Sequence, residues 1–125
     1  MTIFLDTHVI VWLFQNATER FSTKARQAIE ENEVWMSPIV GIELQLLFEI
    51  GRLKANADIL IDFLSHRIGL QVKDDSLSKV SKAAVRETWT RDPFDRLIVA
   101  QAKQNNMSLL TKDSTIRSNY SKAFW

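Results

Sequence analysis

Four carboxylates stand where alternating strands and helices would gather them. They are Asp6 after Ile3-Phe4-Leu5, Glu43 after Trp35-Met36-Ser37-Pro38, Asp95 in Asp92-Pro93-Phe94-Asp95-Arg96, and Asp113 after Leu109-Leu110-Thr111-Lys112. Brought to one place, they would repel one another strongly unless a positive charge sat between them. An all-oxygen set selects hard cations, so Mg2+ or Mn2+ is favoured over zinc or copper. Such an ion lowers the pKa of a water and neutralises charge on a reacting phosphodiester. The chemistry implied is metal-assisted hydrolysis of a phosphate ester, with no histidine clearly placed as a base.

Helical geometry sharpens the case for two of the four. At about 100° per residue, Glu43 projects among Ile39, Leu46, Leu47 and Ile50, and Asp95 among Ile98, Val99 and Ala102. A lone buried carboxylate costs several kcal/mol, so both need a cation or another partner. The others have plainer alternatives. Asp6 can cap a following helix, Asp92 and Asp95 have a spacing like a capping box, and Asp113 can open a turn. Thr7 and Thr111 are candidates to orient carboxylates or touch substrate, or are ordinary hydroxyls at element ends. Arg91, Arg96 and Lys112 flank the acids and are candidates to hold phosphates, with solvated ion pairs as the alternative. His8 and His66 read as surface or core residues. Trp12, Trp35, Trp89 and Trp125 read as buried aromatics, with base stacking as the other option.

The elements that must position these groups alternate. Thr2–Asp6 reads as a buried strand and Thr7–Phe14 as a helix. Ser22 caps a helix through about Glu31, and Val34–Ser37 is a second strand. Ser37-Pro38 starts a helix that stops at Gly51. Asn56–His66 is a further helix ended near Gly69, and Leu70–Lys73 is a weak third strand. Asp74 or Asp75 is expected to cap a helix through about Glu87, with Trp89–Arg91 as a linker. Asp92-Pro93 starts a helix to about Asn105, and Ser108–Thr111 is the fourth strand. Asp113–Tyr120 is a turn or short helix, and Lys122–Trp125 a fifth, edge strand. This order predicts an α/β protein with a parallel sheet covered on both faces. In such sheets ligands bind beyond the carboxyl ends of the strands, which is the rim where all four acids fall.

Bulk composition fits this frame. A chain of 125 residues, 46% hydrophobic, suits one domain over residues 1–125 with a real core. It has no cysteine, which excludes disulfides and thiolate metal sites. The net charge of +1 gives no bulk attraction to nucleic acid, so a phosphate-rich substrate must be held locally. No apolar run is long enough to span a bilayer, and the opening Met1-Thr2-Ile3-Phe4-Leu5-Asp6 is unlike a signal peptide, so a cytoplasmic protein is expected.

The stretches Phe4-Leu5-Asp6-Thr7-His8-Val9-Ile10-Val11-Trp12, Ser37 through Glu43-Leu44, Arg91 through Ala102, and Leu110-Thr111-Lys112-Asp113 with Ile116 and Tyr120 together resemble the PIN-domain nucleases. More narrowly, they resemble the VapC-type toxins of bacterial toxin–antitoxin pairs. The resemblance implies a three-layer α/β/α sandwich with a mostly parallel five-stranded sheet. It implies a Mg2+- or Mn2+-dependent endoribonuclease that uses a metal-activated water. The family's acidic quartet falls on Asp6, Glu43, Asp95 and Asp113, the first and third as its usual direct ligands. Asp92 belongs to the matching motif as an auxiliary. The resemblance also implies a homodimer and a cognate antitoxin whose tail enters the acidic cleft. One departure is Val40, where many relatives carry Ser or Thr three residues before the glutamate.

Three other readings compete. A catalytically weak PIN-fold protein serving as a partner-binding module is kept open by Val40. A phosphoacceptor receiver wants adjacent acids after strand one, where Asp6 stands alone. An aspartyl-nucleophile phosphatase wants Asp-x-Asp there, and Asp6-Thr7-His8 lacks the second acid.

Overall fold

Ile3, Phe4 and Leu5 are buried one after another. Successive strand side chains point to opposite faces, so a strand with no exposed face must be covered on both sides. That strand, β1 (Thr2–Leu5), is the centre of a computed structural model that describes all of residues 1–125. It is followed by α1 (Thr7–Phe14), a 3-10 turn (Thr18–Arg20), α2 (Thr23–Glu31), β2 (Glu33–Met36), α3 (Ile39–Glu49) and α4 (Ala57–Ile68). Then come β3 (Gln71–Val72), α5 (Leu77–Ala84), α6 (Pro93–Gln104), β4 (Ser108–Leu110), α7 (Ser114–Asn119) and β5 (Ala123–Phe124).

The sheet order is β3-β2-β1-β4-β5, and every pairing is parallel. Phe4 sits between Trp35 of β2 and Leu109 of β4. The chain first builds outward from β1 through β2 to β3, then returns to the other side of β1 for β4 and β5. The direction reverses between β1 and β4, and the crevice at that reversal is where an open α/β sheet binds ligands. The expected α/β/α architecture with a five-stranded parallel sheet is thus the observed one.

Local chemistry sets the helix ends. Ser22 and Asn56 accept from the backbone N–H groups of Ala25 and Ile59. Gly51 (φ 84°) and Gly69 (φ 72°) take the left-handed conformation just past α3 and α4, where a side chain would be strained. Two expectations fail. Neither Asp74 nor Asp75 caps α5. Ser76 does, through the N–H of Lys79, and the helix ends at Ala84 rather than Glu87. Asp75 instead accepts from Gln101 and Asn105, tying the β3–α5 connection to α6. On α3 the core-facing residues are Val40 and Leu44, while Leu46 and Ile50 are exposed. Glu43 therefore lies beside the buried stripe rather than in its middle. No helix is long and apolar enough to cross a membrane.

Candidate metal centre

Asp6 follows β1 directly and does two jobs. Its Oδ1 accepts from the N–H of Thr7 at 2.8 Å and so caps α1. Its Oδ2 accepts from the Thr111 hydroxyl at 2.7 Å. Both hydroxyl and carboxylate are buried, at the sheet's reversal point between β1 and β4. Thr111 Oγ1 also accepts from the N–H of Asp113 at 3.1 Å, so one hydroxyl links two of the four acids.

Glu43 reaches the same place from α3. Its Oε1 accepts from the buried Thr7 hydroxyl at 2.5 Å. Val40 is fully buried in the core. No hydroxyl is supplied from that position, and Thr7 of α1 is Glu43's hydroxyl partner.

Asp92 and Asp113 each cap a helix with a single oxygen. Asp92 Oδ1 accepts from Phe94 and Asp95 at the start of α6, with Pro93 in the first turn. Asp113 Oδ1 accepts from Thr115 and Ile116 at the start of α7. In each the other oxygen takes no such bond. The plain capping roles and the site roles are therefore compatible.

Asp6, Glu43, Asp92, Asp95 and Asp113 line one hollow of about 370 Å³, together with His8, Trp12 and Lys112. Three of the acids are helix caps, so the N-termini of α1, α6 and α7 meet there and their partial positive charge opposes some of the carboxylate charge. It is not enough. Asp95 is pushed up to about 7, first by burial and then by the charges of Asp92, Asp6, Asp113 and Glu43. Its carboxylate takes no hydrogen bond that would counter this. Burial also raises Asp6, against the opposing bonds from Thr111 and Thr7. Glu43 is raised by burial and by Asp6 and Asp92, with Thr7 opposing.

The acids offer mutually repelling carboxylate oxygens, from the buried Asp6 through the partly buried Glu43 and Asp95 to the exposed Asp92 and Asp113, and this donor chemistry fits a hard divalent cation. As they stand, no three His, Asp or Glu side chains close on a common point at ligand distance. They face the hollow from four separate elements.

The remaining candidates divide. Lys112 lines the hollow. Thr7 and Thr111 are buried, and their hydroxyls donate to Glu43 and Asp6. Arg96 does not line the hollow. Its Nε donates to the Thr90 carbonyl at 2.8 Å and braces the loop before Asp92. Arg91 bonds the Thr88 carbonyl in the same loop. His8, expected as a surface or core residue, and Trp12, expected as a buried aromatic or a base-stacking one, both line the hollow. Their signal was spacing: they lie one turn apart on the helix that Asp6 caps, and so share a face.

The PIN domain family profile matches residues 3–121. The chain is 31% identical over 121 residues, 94% of this chain and 92% of the other, to Ribonuclease VapC22 of Mycobacterium tuberculosis H37Rv. Among solved structures it is similar to VapBC2 of Rickettsia felis bound to a promoter DNA fragment (TM-score 0.68, 19% identity, covering 94% of this chain and 92% of that one). It is also similar to a toxin–antitoxin complex of Klebsiella pneumoniae (TM-score 0.67, 17% identity, 98% and 96% covered). A third is VapBC-1 of nontypeable Haemophilus influenzae (TM-score 0.67, 19% identity, 100% and 96% covered). With its acids at the reversal point of a parallel five-stranded sheet and a profile match over nearly its whole length, the chain belongs to the PIN domain family.

Proposed function

We propose that this chain is a metal-dependent endoribonuclease acting as the toxin of a toxin–antitoxin pair, one PIN-type domain over residues 1–125 working in the cytoplasm. The observation that carries the reading is the meeting of Asp6, Glu43, Asp95 and Asp113 on one hollow, with Asp95 pushed up to about 7 by its neighbours and its burial. The named ribonuclease relative supports the choice of RNA, and the toxin–antitoxin neighbours support a cognate antitoxin as partner.

Asp6, Glu43, Asp95 and Asp113 would hold Mg2+ or Mn2+, with Asp92 as an auxiliary. When bound, such an ion would lower the pKa of water and offset charge on the phosphodiester. The chain's own groups do the rest. Thr111 and the N–H of Thr7 fix the Asp6 carboxylate. The Thr7 hydroxyl fixes Glu43. Lys112 lines the hollow and would meet a phosphate oxygen. For a protein partner, α3 and α4 leave Ile42, Leu46, Ile50, Ile59 and Phe63 exposed, an apolar surface suited to an antitoxin or a second copy.

The test is cleavage of total RNA by the purified protein with Mg2+ or Mn2+, beside Asp6→Asn and Asp95→Asn, together with growth of cells expressing each. Cleavage and growth arrest that both vanish in the variants are expected. A parent that cuts no RNA, or variants that stay toxic, would sink the reading.

A further inference from the structure

Lys112 lines the hollow with Asp6, Glu43, Asp92, Asp95 and Asp113, yet its ammonium forms no ion pair with any of them. It is also the residue directly before Asp113. A compact charge on a flexible four-carbon stem is drawn toward such a set of carboxylates. Once paired, it would occupy the oxygens that a divalent cation needs. Its position off the acids therefore needs a cause.

Lys112 Nζ lies over the Trp12 indole, 5.9 Å from the ring centroid. Of the aromatic faces, that of tryptophan attracts a cation best. The ring itself is braced. Trp12 packs against the hydrophobic core, with its centroid 6.2 Å from that of the buried Phe21 and 5.8 Å from that of Trp125. Phe21 and Trp125 meet edge-on in turn at 5.5 Å, so the three rings support one another. Trp12 lies on α1, the helix that Asp6 caps, so the cation's seat and one of the acids are fixed to the same element. Arg20 also lies over the indole, at 5.3 Å, but does not line the hollow.

We propose that Trp12 is a positioning residue that holds Lys112 on its indole and off the carboxylates, so that the acidic hollow stays open to a divalent cation. This rests on the metal-centre reading above. The ammonium keeps its charge on the wall, where a phosphate oxygen can meet it, and leaves the carboxylate oxygens to the metal.

The test is Mn2+ affinity by calorimetry on the purified protein without RNA. Trp12→Leu removes the seat, and Lys112 then competes with Mn2+. Affinity should fall roughly 2- to 30-fold, the range that the loss of a cation–π contact corresponds to. Lys112→Gln should change the affinity of the parent little, yet restore most of what Trp12→Leu loses. Arg20→Gln should restore none of it. Trp12→Phe, which keeps an aromatic face, should fall less than Trp12→Leu. If Trp12 served only the packing, Lys112→Gln would leave Trp12→Leu as weak as before. That result overturns the proposal, as does an unchanged affinity in Trp12→Leu. A second measurement needs no Trp12 variant. In the metal-free parent, the Lys112 ε-methylene protons should show the upfield ring-current shift of a group over an indole, and saturating Mg2+ should leave it in place. A shift that is absent, or that arises only with Mg2+, overturns the proposal while the metal-centre reading stands. A parent that binds neither Mn2+ nor Mg2+ overturns both.

Discussion

Thr111 donates its hydroxyl proton to Asp6 at 2.7 Å, joining residues 105 positions apart across the β1–β4 reversal. Both are buried, and Thr111 Oγ1 also receives the N–H of Asp113. The hydroxyl is thus a strut between two acids that would otherwise drift apart under their own repulsion.

Replacing Thr111 by Val keeps the shape and removes the strut. The bond to a charged acceptor is worth about 1.5–3 kcal/mol when the carboxylate is ionised, and stability at neutral pH should fall by an amount of that order. Loss of a donor also lets burial raise Asp6 further. The acid limb of the pH–rate profile should move to higher pH, with part of the lost activity recovered in alkaline buffer. Thr111→Ser should behave like the parent. A Thr111→Val profile that only scales down, without shifting, would contradict this account.

Asp95 gives a prediction with a definite sign. Its folded-state value of about 7 lies above the ordinary carboxylate range, so between about pH 4 and pH 7 the folded protein keeps a proton that the unfolded chain has released. The stability this contributes is present at low pH and is lost as pH rises through 7. Asp6 and Glu43 are displaced in the same direction. The metal-free protein should therefore lose melting temperature from about pH 5 to pH 7.5, and Asp95→Asn should flatten the slope and melt higher at pH 7.5. Mn2+ competes with the same protons, so its affinity should tighten over that window, by up to about tenfold per pH unit for each proton released. Calorimetry in buffers of different ionisation enthalpy would count those protons. A pH-independent Mn2+ affinity would count against Asp95 as a ligand.

Much of this was legible in the sequence because it rests on local chemistry. Ser22, Asn56 and Asp92-Pro93 announce helix starts by side-chain capping, and Gly51 and Gly69 announce ends by their backbone freedom. The acids were found because Asp6 and Asp113 stand at strand exits. What failed was set by tertiary contacts. Asp75 lost the cap of α5 to Ser76 because Gln101 and Asn105, some thirty residues away, bind its carboxylate. The face of α3 was misjudged because both sides of that helix are apolar, so periodicity could not say that Val40 and Leu44 go inward while Leu46 and Ile50 stay out. For Arg96, a candidate phosphate contact from its place beside Asp95, only the fold shows that its Nε donates to the Thr90 carbonyl, which leaves its other N–H groups free.

Glu87 illustrates the same limit and carries its own prediction. It is nearly buried, pairs with Lys103 at 2.7 Å and accepts from Trp89 Nε1 at 2.7 Å. The loop from Thr88 to Asp92 hangs between this anchor and Arg96. Glu87→Ala leaves the indole N–H of Trp89 without its partner and should cost about 1–3 kcal/mol in urea unfolding. Because Asp92 sits at the end of that loop, the variant should also weaken Mn2+ binding modestly, though Glu87 itself lies outside the hollow. Unchanged Mn2+ binding would show that Asp92 is held by α6 alone.

Lys112 and Arg96 were both candidates to hold phosphate, and ionic strength separates them. Each phosphate neutralised on a single strand contributes about 0.7 to the slope of log affinity against log salt, because a condensed counterion is released. Lys112 faces the hollow and its ammonium makes no close ion pair with the protein, so it is available for that contact. Arg96 does not line the hollow, and its Nε donates to the Thr90 carbonyl. In protein inactivated by Asp95→Asn, adding Lys112→Gln should reduce the salt slope for single-stranded RNA by roughly one contact's worth. Adding Arg96→Gln should leave the slope intact and instead lower the melting temperature, since its loss frees the loop before Asp92. A slope that falls with Arg96→Gln and holds with Lys112→Gln would reverse the assignment and put the RNA backbone on the α6 side of the hollow.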